Sequence, residues 1–326
     1  MKFKPSSWLA PKTATLPDFI IAGAMKSGTT TLHAILNQHP DIFIPDDELH
    51  FFDMDNIVQH ADFNFFEKGR WHCHDLSKSP EHYWRWYSQK FQPANAGVLL
   101  GEDSTTYLAS ETAIKRIAQQ NKNIKLIIML RQPTARAYSH YWHMVQAGRA
   151  MFSFEDMLKI SPLHLVNRSD YFKQLSVLFN YVDKKHVKVV LFEDFLDNKK
   201  TVLSDVCDFL NIDFNKLPVS AYELHKNKTK TPRYLALHLF MCRLFGRSDN
   251  NEYIDHFMLD NKKSAGSKIS FLTVINKLHR LINPLVEKKA PKINASTKKL
   301  LDDYFYNELQ GLDELLQQDI MSKWFD

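Results

Sequence analysis

The sequence predicts an α/β fold, a parallel β-sheet flanked by helices on both faces, with a helical C-terminal part. Three observations carry this. Short apolar runs of strand length recur at residues 18–22, 124–130 and 188–192. Segments with apolar residues at helical spacing alternate with them, Leu32, Ile35 and Leu36 being the first set. From about residue 222 onward, helical stretches rich in Lys and Arg replace the strand-like runs.

The elements follow in order. Residues 1–16 read as a tail. Asp18-Phe19-Ile20-Ile21-Ala22, ended by Gly23, reads as a buried parallel strand. A helix follows from Thr29 to Asn37 and is closed off by Pro40. Ile42-Phe43-Ile44 is a second strand, leading into Pro45-Asp46-Asp47-Glu48-Leu49-His50-Phe51-Phe52-Asp53. Residues 63–91 are dense in aromatic side chains, which suit either a core or a surface that stacks on an acceptor ring. Val98-Leu99-Leu100-Gly101-Glu102 is a third strand. Ile124 to Leu130 is a fourth, closed by Arg131-Gln132-Pro133, with a helix from Thr134 to Gln146. Lys188 to Phe192 is the last clear strand. Residues 234–247 and 269–289 read as basic, apolar helices that either pack on the sheet or touch a membrane or lipid acceptor. Thr297 to Leu316 reads as one amphipathic helix. Without a linker or repeat, residues 1–326 are expected to form one domain, with about 222–290 as a helical, acceptor-side segment.

Composition narrows the function classes. Hydrophobic residues make up 44% of the 326, enough for a sizeable core. A net charge of +5 is too mild for a nucleic-acid binder, so no nucleic-acid partner is expected, whereas an anionic ligand fits. Cys73, Cys207 and Cys242 form neither a disulfide framework nor a zinc motif. His72-Cys73-His74 are adjacent residues that lack further ligands, so no metal is expected. No apolar run reaches membrane-spanning length and no signal peptide is visible, which points to a cytoplasmic protein. The sequence does not indicate an oligomeric state.

The loop Gly23-Ala24-Met25-Lys26-Ser27-Gly28-Thr29-Thr30 lies between the first strand and helix. A loop so placed aims backbone N–H groups and the helix dipole at one point, which makes an anion site. The nucleotide-triphosphate version has Lys after its second Gly. Here that Lys is missing and Lys26 sits inside the loop, where it can reach a bridging oxygen and neutralise charge on a leaving group. Taken alone, the loop could be a tight turn with a solvent-facing lysine. A magnesium-dependent kinase or nucleotidase needs an acid at the end of a later buried strand. The strand ending Ile127-Ile128-Met129-Leu130 is followed instead by Arg131, a natural partner for a phosphate monoester. Ser139, about two helical turns into the next helix, could share that phosphate.

On these residues the sequence resembles the sulfotransferases that use 3′-phosphoadenosine 5′-phosphosulfate. FIIAGAMKSGTTTLHAILNQHPDI is similar to their 5′-phosphosulfate loop, and LIIMLRQPTARAYSHYWH to their 3′-phosphate motif. ELHFFD at 48–53, GEDSTTYL at 101–108 and FEDF at 192–195 resemble further family segments. The resemblance implies a P-loop-like sheet and a 3′-phosphoadenylyl sulfate donor. It implies donor contacts from Lys26, Ser27, Gly28, Thr29, Thr30, Arg131 and Ser139, with Lys228 and Arg233 from a later basic loop. That loop lacks the family's glycines, and Asp103 stands where the heparan-type branch often carries Lys.

Sulfonate transfer needs a base for the acceptor hydroxyl. The resemblance to the carbohydrate and heparan-type branch gives that role to Glu48, with a carbohydrate hydroxyl as the expected acceptor. A small alcohol, phenol or lipid remains the alternative. Apolar Leu49, Phe51 and Phe52 are expected to desolvate Glu48 and raise its pKa. His50 is the rival base. In an extended segment it faces the same side as Glu48, so one can do the chemistry while the other orients substrate. A non-catalytic nucleotide-binding module would lack such a base.

Overall fold

Phe19–Gly23 (β1) is buried at every position, as a central parallel strand covered on both faces must be. The computed structural model describes residues 8–67, 69–92, 94–120, 123–224, 229–245, 256–257 and 271–326. After β1 come α1 (Thr29–Leu36), β2 (Ile42–Phe43), β3 (Phe65–Glu67), β4 (Arg70–His72), α2 (Pro80–Gln89), β5 (Leu99–Asp103), α3 (Glu111–Gln120) and β6 (Lys125–Leu130). Next are α4 (Pro133–Gln146), α5 (Phe154–Ile160), α6 (Leu163–Val166), α7 (Tyr171–Phe179), β7 (Val187–Leu191), α8 (Phe192–Asp197) and α9 (Lys199–Leu210). Then follow β8 (Lys230–Pro232), α10 (Leu235–Phe245), α11 (Phe271–Ile282), β9 (Leu285–Glu287), α12 (Ala295–Glu308), α13 (Leu312–Leu316) and α14 (Met321–Phe325). No helix among the described residues is long and apolar enough to cross a membrane.

The chain forms two compact units. Unit 1 comprises Met1–Arg131, Lys173–Lys226 and His256–Leu259. It holds the five-stranded sheet, ordered β2-β5-β1-β6-β7 and parallel throughout. Residues alternate between the two faces of a strand. Phe19, Ile21, Ile127 and Met129 join Leu32, Ile35 and Leu36 of α1 and Leu203, Val206 and Leu210 of α9 in one core. Ile20, Ala22, Leu126, Ile128 and Leu130 are equally buried between them. The expected α/β architecture is present.

Several expectations change in detail. Within the presumed tail, Trp8 is buried, with the Arg116 guanidinium 3.5 Å over its ring. Gln120 Nε2 donates to the Trp8 carbonyl (2.6 Å), and Ala10 N donates to Gln120 Oε1 (2.8 Å). A single aromatic anchor leaves no periodic signal, so this attachment was not readable. The aromatic stretch divides. Phe63, Trp84, Trp86, Tyr87 and Phe91 are buried with Phe51 and Phe52, whereas Phe66 and Trp71 are exposed. Phe192 opens α8 and does not end β7.

Unit 2 comprises Gln132–Phe172, Asn227–Asp255 and Asp260–Asp326. Arg136 of α4 is fully buried. Its Nε donates to Ser169 Oγ at 2.5 Å and its Nη2 to the Leu165 carbonyl, which ties α4 to α6 and the turn after it. The segment read as a helix over 269–289 is α11 followed by β9, which pairs antiparallel with β8. Pro284 lacks the N–H to continue a helix. The helix expected over 297–316 is broken into α12 and α13 at Gly311, whose φ of +87° favours glycine.

Candidate active site

The five parallel strands of unit 1 all end on one edge of the sheet. β1 lies between β5 and β6. The chain leaves β1 toward β2 on one side and reaches β6 on the other, and α/β sheets bind ligands at such switch points. The segments after the strands are 24–30, 44–50 and 104–107, then Arg131 and Phe192.

The loop after β1 is tightly constrained. Gly28 caps α1 with φ +93°, and a Cβ there would lie 2.7 Å from Phe192 Cδ2. Only glycine therefore lets the backbone approach so closely. Thr31 N and Leu32 N both donate to the Gly28 carbonyl, at 3.0 and 3.1 Å. The N–H groups of Thr29 and Thr30, which stand before these bonds, are of the kind that finds no partner within a helix. Ser27 is fully buried, and its Oγ has no hydrogen-bond partner. A buried hydroxyl without a partner is costly unless something else satisfies it. A phosphate in this cradle would do so.

Lys26 occupies the left-handed region with φ +69°. Burial holds its ammonium pKa below the usual lysine range, nearby Glu48 raises it in part, and Arg131 pushes it down again. The structure thus brings Lys26, Glu48 and Arg131 into one electrostatic group. Arg131 Nη1 donates to the Lys26 carbonyl at 3.3 Å, and its guanidinium stacks 4.8 Å over the Phe192 ring.

Glu48 is gripped through one carboxylate oxygen. Oε2 accepts from Thr105 Oγ1 (2.8 Å) and Thr105 N (3.3 Å). His50 Nε2 lies 3.5 Å from the same oxygen. The two sequence candidates are therefore neighbours, but not because the segment is extended. His50 has φ +49°, and its N donates to Ser104 Oγ at 2.9 Å. The expected apolar wrapping of Glu48 is also absent. Leu49, Phe51 and Phe52 turn into the core, and the Glu48 side chain is 37% exposed.

Behind this pair lies a hydrogen-bonded chain. His50 Nδ1 is 3.3 Å from Thr106 Oγ1, which is 3.3 Å from His60 Nε2, and that nitrogen is 2.7 Å from Asp53 Oδ1. Among the described residues, His50, Asp53 and His60 also form a group of potential metal ligands within 4.8 Å of one another. Two donors about 2.0–2.1 Å from a tetrahedral zinc would sit roughly 3.3 Å apart. The His60–Asp53 separation is shorter, so this pair is hydrogen-bonded to itself. At 72–74, His72 and Cys73 are exposed and His74 Nδ1 lies 3.2 Å from Tyr83 Oη.

Two further acids are buried at the end of β5. Glu102 accepts from Tyr107 Oη (2.6 Å), Ser104 Oγ (2.8 Å) and Tyr87 Oη, and burial raises its pKa to about 7. Asp103 Oδ2 lies 3.2 Å from His33 Nδ1, and burial raises its pKa against the hydrogen bond from His33. Thr105, Thr106, His33 and His60 were not singled out in the sequence. Thr105 and Thr106 stand in the GEDSTTYL segment, but no spacing tells which hydroxyl meets Glu48. Ser139 is half-buried on α4 of unit 2. Arg233 is exposed after β8 in unit 2, its guanidinium 5.5 Å over the Tyr234 ring. Lys228 lies outside the described residues.

A model of the sulfotransferase family matches residues 17–216, more than half of the chain. The chain belongs to the sulfotransferase family. It is an enzyme that transfers sulfonate groups. Human heparan sulfate glucosamine 3-O-sulfotransferase 5 is 28% identical over 290 residues, covering 84% of this sulfotransferase and 71% of the relative. The human bifunctional heparan sulfate N-deacetylase/N-sulfotransferase 2 is 33% identical over 150 residues, 43% of this chain and 14% of that protein. A crystal structure of a sulfotransferase from Alicyclobacillus acidocaldarius shares the fold, with a TM-score of 0.60 and 22% identity over 95% of this chain and 99% of that one.

Proposed function

We propose that this sulfotransferase moves the sulfonate group of 3′-phosphoadenylyl sulfate to a hydroxyl of a carbohydrate, with Glu48 as the general base. The observation that carries this is the convergence of Lys26, Glu48 and Arg131 at the end of β1. One carboxylate and two cations is the set such a transfer needs. The relatives named for heparan sulfate support a carbohydrate acceptor.

The loop from Ser27 to Thr30 holds the donor's 5′ phosphosulfate through the backbone N–H groups of Gly28, Thr29 and Thr30 and through Ser27 Oγ. Arg131 pairs with the donor's 3′-phosphate. Glu48 takes the proton of the acceptor hydroxyl as that oxygen bonds to sulfur, and the bond from sulfur to the bridging phosphate oxygen breaks in line with it. Lys26 neutralises the charge left on that oxygen. Thr105, with its two hydrogen bonds to Oε2, holds the Glu48 carboxylate in position. His50, 3.5 Å away, orients the carboxylate and the acceptor.

The test is transfer of labelled sulfate from the donor to a panel of glycans and small alcohols. Glu48→Gln is expected to lower kcat by roughly 10²–10⁴-fold, the usual share of a general base, with affinity for 3′,5′-adenosine bisphosphate unchanged. Near wild-type kcat in Glu48→Gln would remove the assignment.

A further inference from the structure

Three consecutive hydroxyl residues follow β5, and each holds the 48–50 segment at a different atom. Ser104 Oγ accepts from His50 N at 2.9 Å and donates its own hydrogen to the buried Glu102 carboxylate at 2.8 Å. Thr105 donates twice to Glu48 Oε2. Thr106 Oγ1 meets the His50 ring at Nδ1, 3.3 Å away. The first two contacts fix where the His50 backbone and the Glu48 carboxylate stand. The third governs which ring nitrogen of His50 carries hydrogen.

The direction of that bond is set from behind. Asp53 is fully buried and His60 nearly so. His60 Nε2 lies 2.7 Å from Asp53 Oδ1, and a carboxylate only accepts, so this nitrogen carries hydrogen. The His60 ring stacks on Phe63, with centroids 4.6 Å apart and planes at 14°, which holds its orientation. Thr106 Oγ1 stands 3.3 Å from the same nitrogen and therefore accepts there. Its own hydrogen then has His50 Nδ1 as acceptor. Hydrogen at His50 Nδ1 would instead set two N–H groups against one hydroxyl. The hydrogen of that hydroxyl, on a residue 2% exposed, would lose its acceptor, which burial makes costly. His50 is thus the Nε2–H tautomer, and this N–H faces Glu48 Oε2 at 3.5 Å.

We propose that Thr106 and His60 are positioning residues that fix His50 as a hydrogen donor toward Glu48, and so settle which of the two neighbours is the base. The inference rests on the proposed role of Glu48 and adds what keeps His50 out of it. A nitrogen that already holds hydrogen takes no proton from the acceptor. The nitrogen able to take one, Nδ1, is turned to Thr106. The Nε2–H instead favours the charged form of Glu48 and steadies its carboxylate. Thr106 and His60 act only through the His50 ring.

Replacing His60 would leave Asp53 an unpaired buried charge and endanger the fold, so the variants are made at Thr106. The first measurement is a proton–nitrogen NMR correlation spectrum of the full chain, isotopically labelled at its histidine rings, at a pH where imidazole is neutral. The His50 signals are identified by their loss in His50→Gln. Wild-type His50 is expected to carry hydrogen at Nε2 and none at Nδ1. Thr106→Val, which keeps the shape and removes the hydroxyl, is expected to give a mixture of both tautomers, and Thr106→Ser the wild-type pattern. The second measurement is steady-state transfer to the acceptor of the panel that turns over fastest. Thr106→Val is expected to lower kcat by about three- to ten-fold, the loss of one hydrogen bond, with the donor KM unchanged and with recovery in Thr106→Ser. Added to His50→Ala, Thr106→Val is expected to lower kcat no further. Hydrogen at Nδ1 in the wild type, a wild-type spectrum and kcat in Thr106→Val, no recovery in Thr106→Ser, or additive losses in the double variant would overturn the proposal. The wild-type spectrum decides even where Thr106→Val does not fold. It involves no turnover, so a failure of Glu48→Gln to lower kcat counts against the proposed base and leaves the hydrogen placement on His50 intact.

Discussion

Lys26 acts in the proposed reaction as a cation, so its protonation sets an upper pH limit. Burial holds its pKa below the ordinary lysine value. As pH rises through that lowered pKa the free enzyme loses the ammonium, and kcat/KM falls with it. The alkaline limb of the kcat/KM profile is therefore expected before an unperturbed lysine would titrate. An enzyme whose kcat/KM stays flat through that range does not use Lys26 in this way. At the same scale, His50→Ala is expected to lower kcat by no more than roughly ten-fold, because it removes an orienting group and leaves the carboxylate in place. Steady-state kinetics of His50→Ala beside Glu48→Gln separates the roles. A larger loss in His50→Ala would exchange them.

At the scale of elements, the loop and α1 are held by the fit of Gly28 against Phe192. Gly28→Ala places a Cβ 2.7 Å from the Phe192 ring on a left-handed backbone. It is expected to weaken 3′,5′-adenosine bisphosphate binding by at least about ten-fold, read by thermal shift. Phe192→Leu in the same chain should restore part of it. Much of this element was legible in the sequence. β1, β6 and α1 follow from apolar runs and helical spacing, and Lys26 and Arg131 are marked by where they stand relative to a strand end. What was not legible depends on contacts between distant segments. Thr105 reaches Glu48 across 57 residues, and His33 reaches Asp103 across 70. No local pattern records such pairs. The meeting of Glu48 and His50 was expected, but the left-handed φ of His50 brings it about, and the period-two reasoning that anticipated it does not apply. The break in the C-terminal helix was readable in principle from Gly311, but amphipathic spacing continues across it and masked the signal.

For the molecule as a whole, the acid buried at the end of β5 makes stability depend on pH. Glu102 has a folded pKa raised from 4.5 to about 7. Between these values the folded state holds a proton that the unfolded chain has lost, so stability declines as pH rises from about 4.5 to about 7 and is level above that. The shift corresponds to about 3 kcal/mol. Urea unfolding at pH 5 and pH 8 should show this difference in the wild type and much less of it in Glu102→Gln; equal pH dependence in both would assign it to other groups. The same strand leads into Thr105, which holds the proposed base Glu48. The most direct measurement is donor-dependent sulfate transfer by Lys26→Ala at saturating donor, with its melting temperature alongside. The expected result is a melting temperature near that of the wild type with turnover reduced by at least roughly a hundred-fold, the loss that follows removal of one key charge-stabilising group. Turnover close to wild type in a folded Lys26→Ala protein would contradict the role given to this loop.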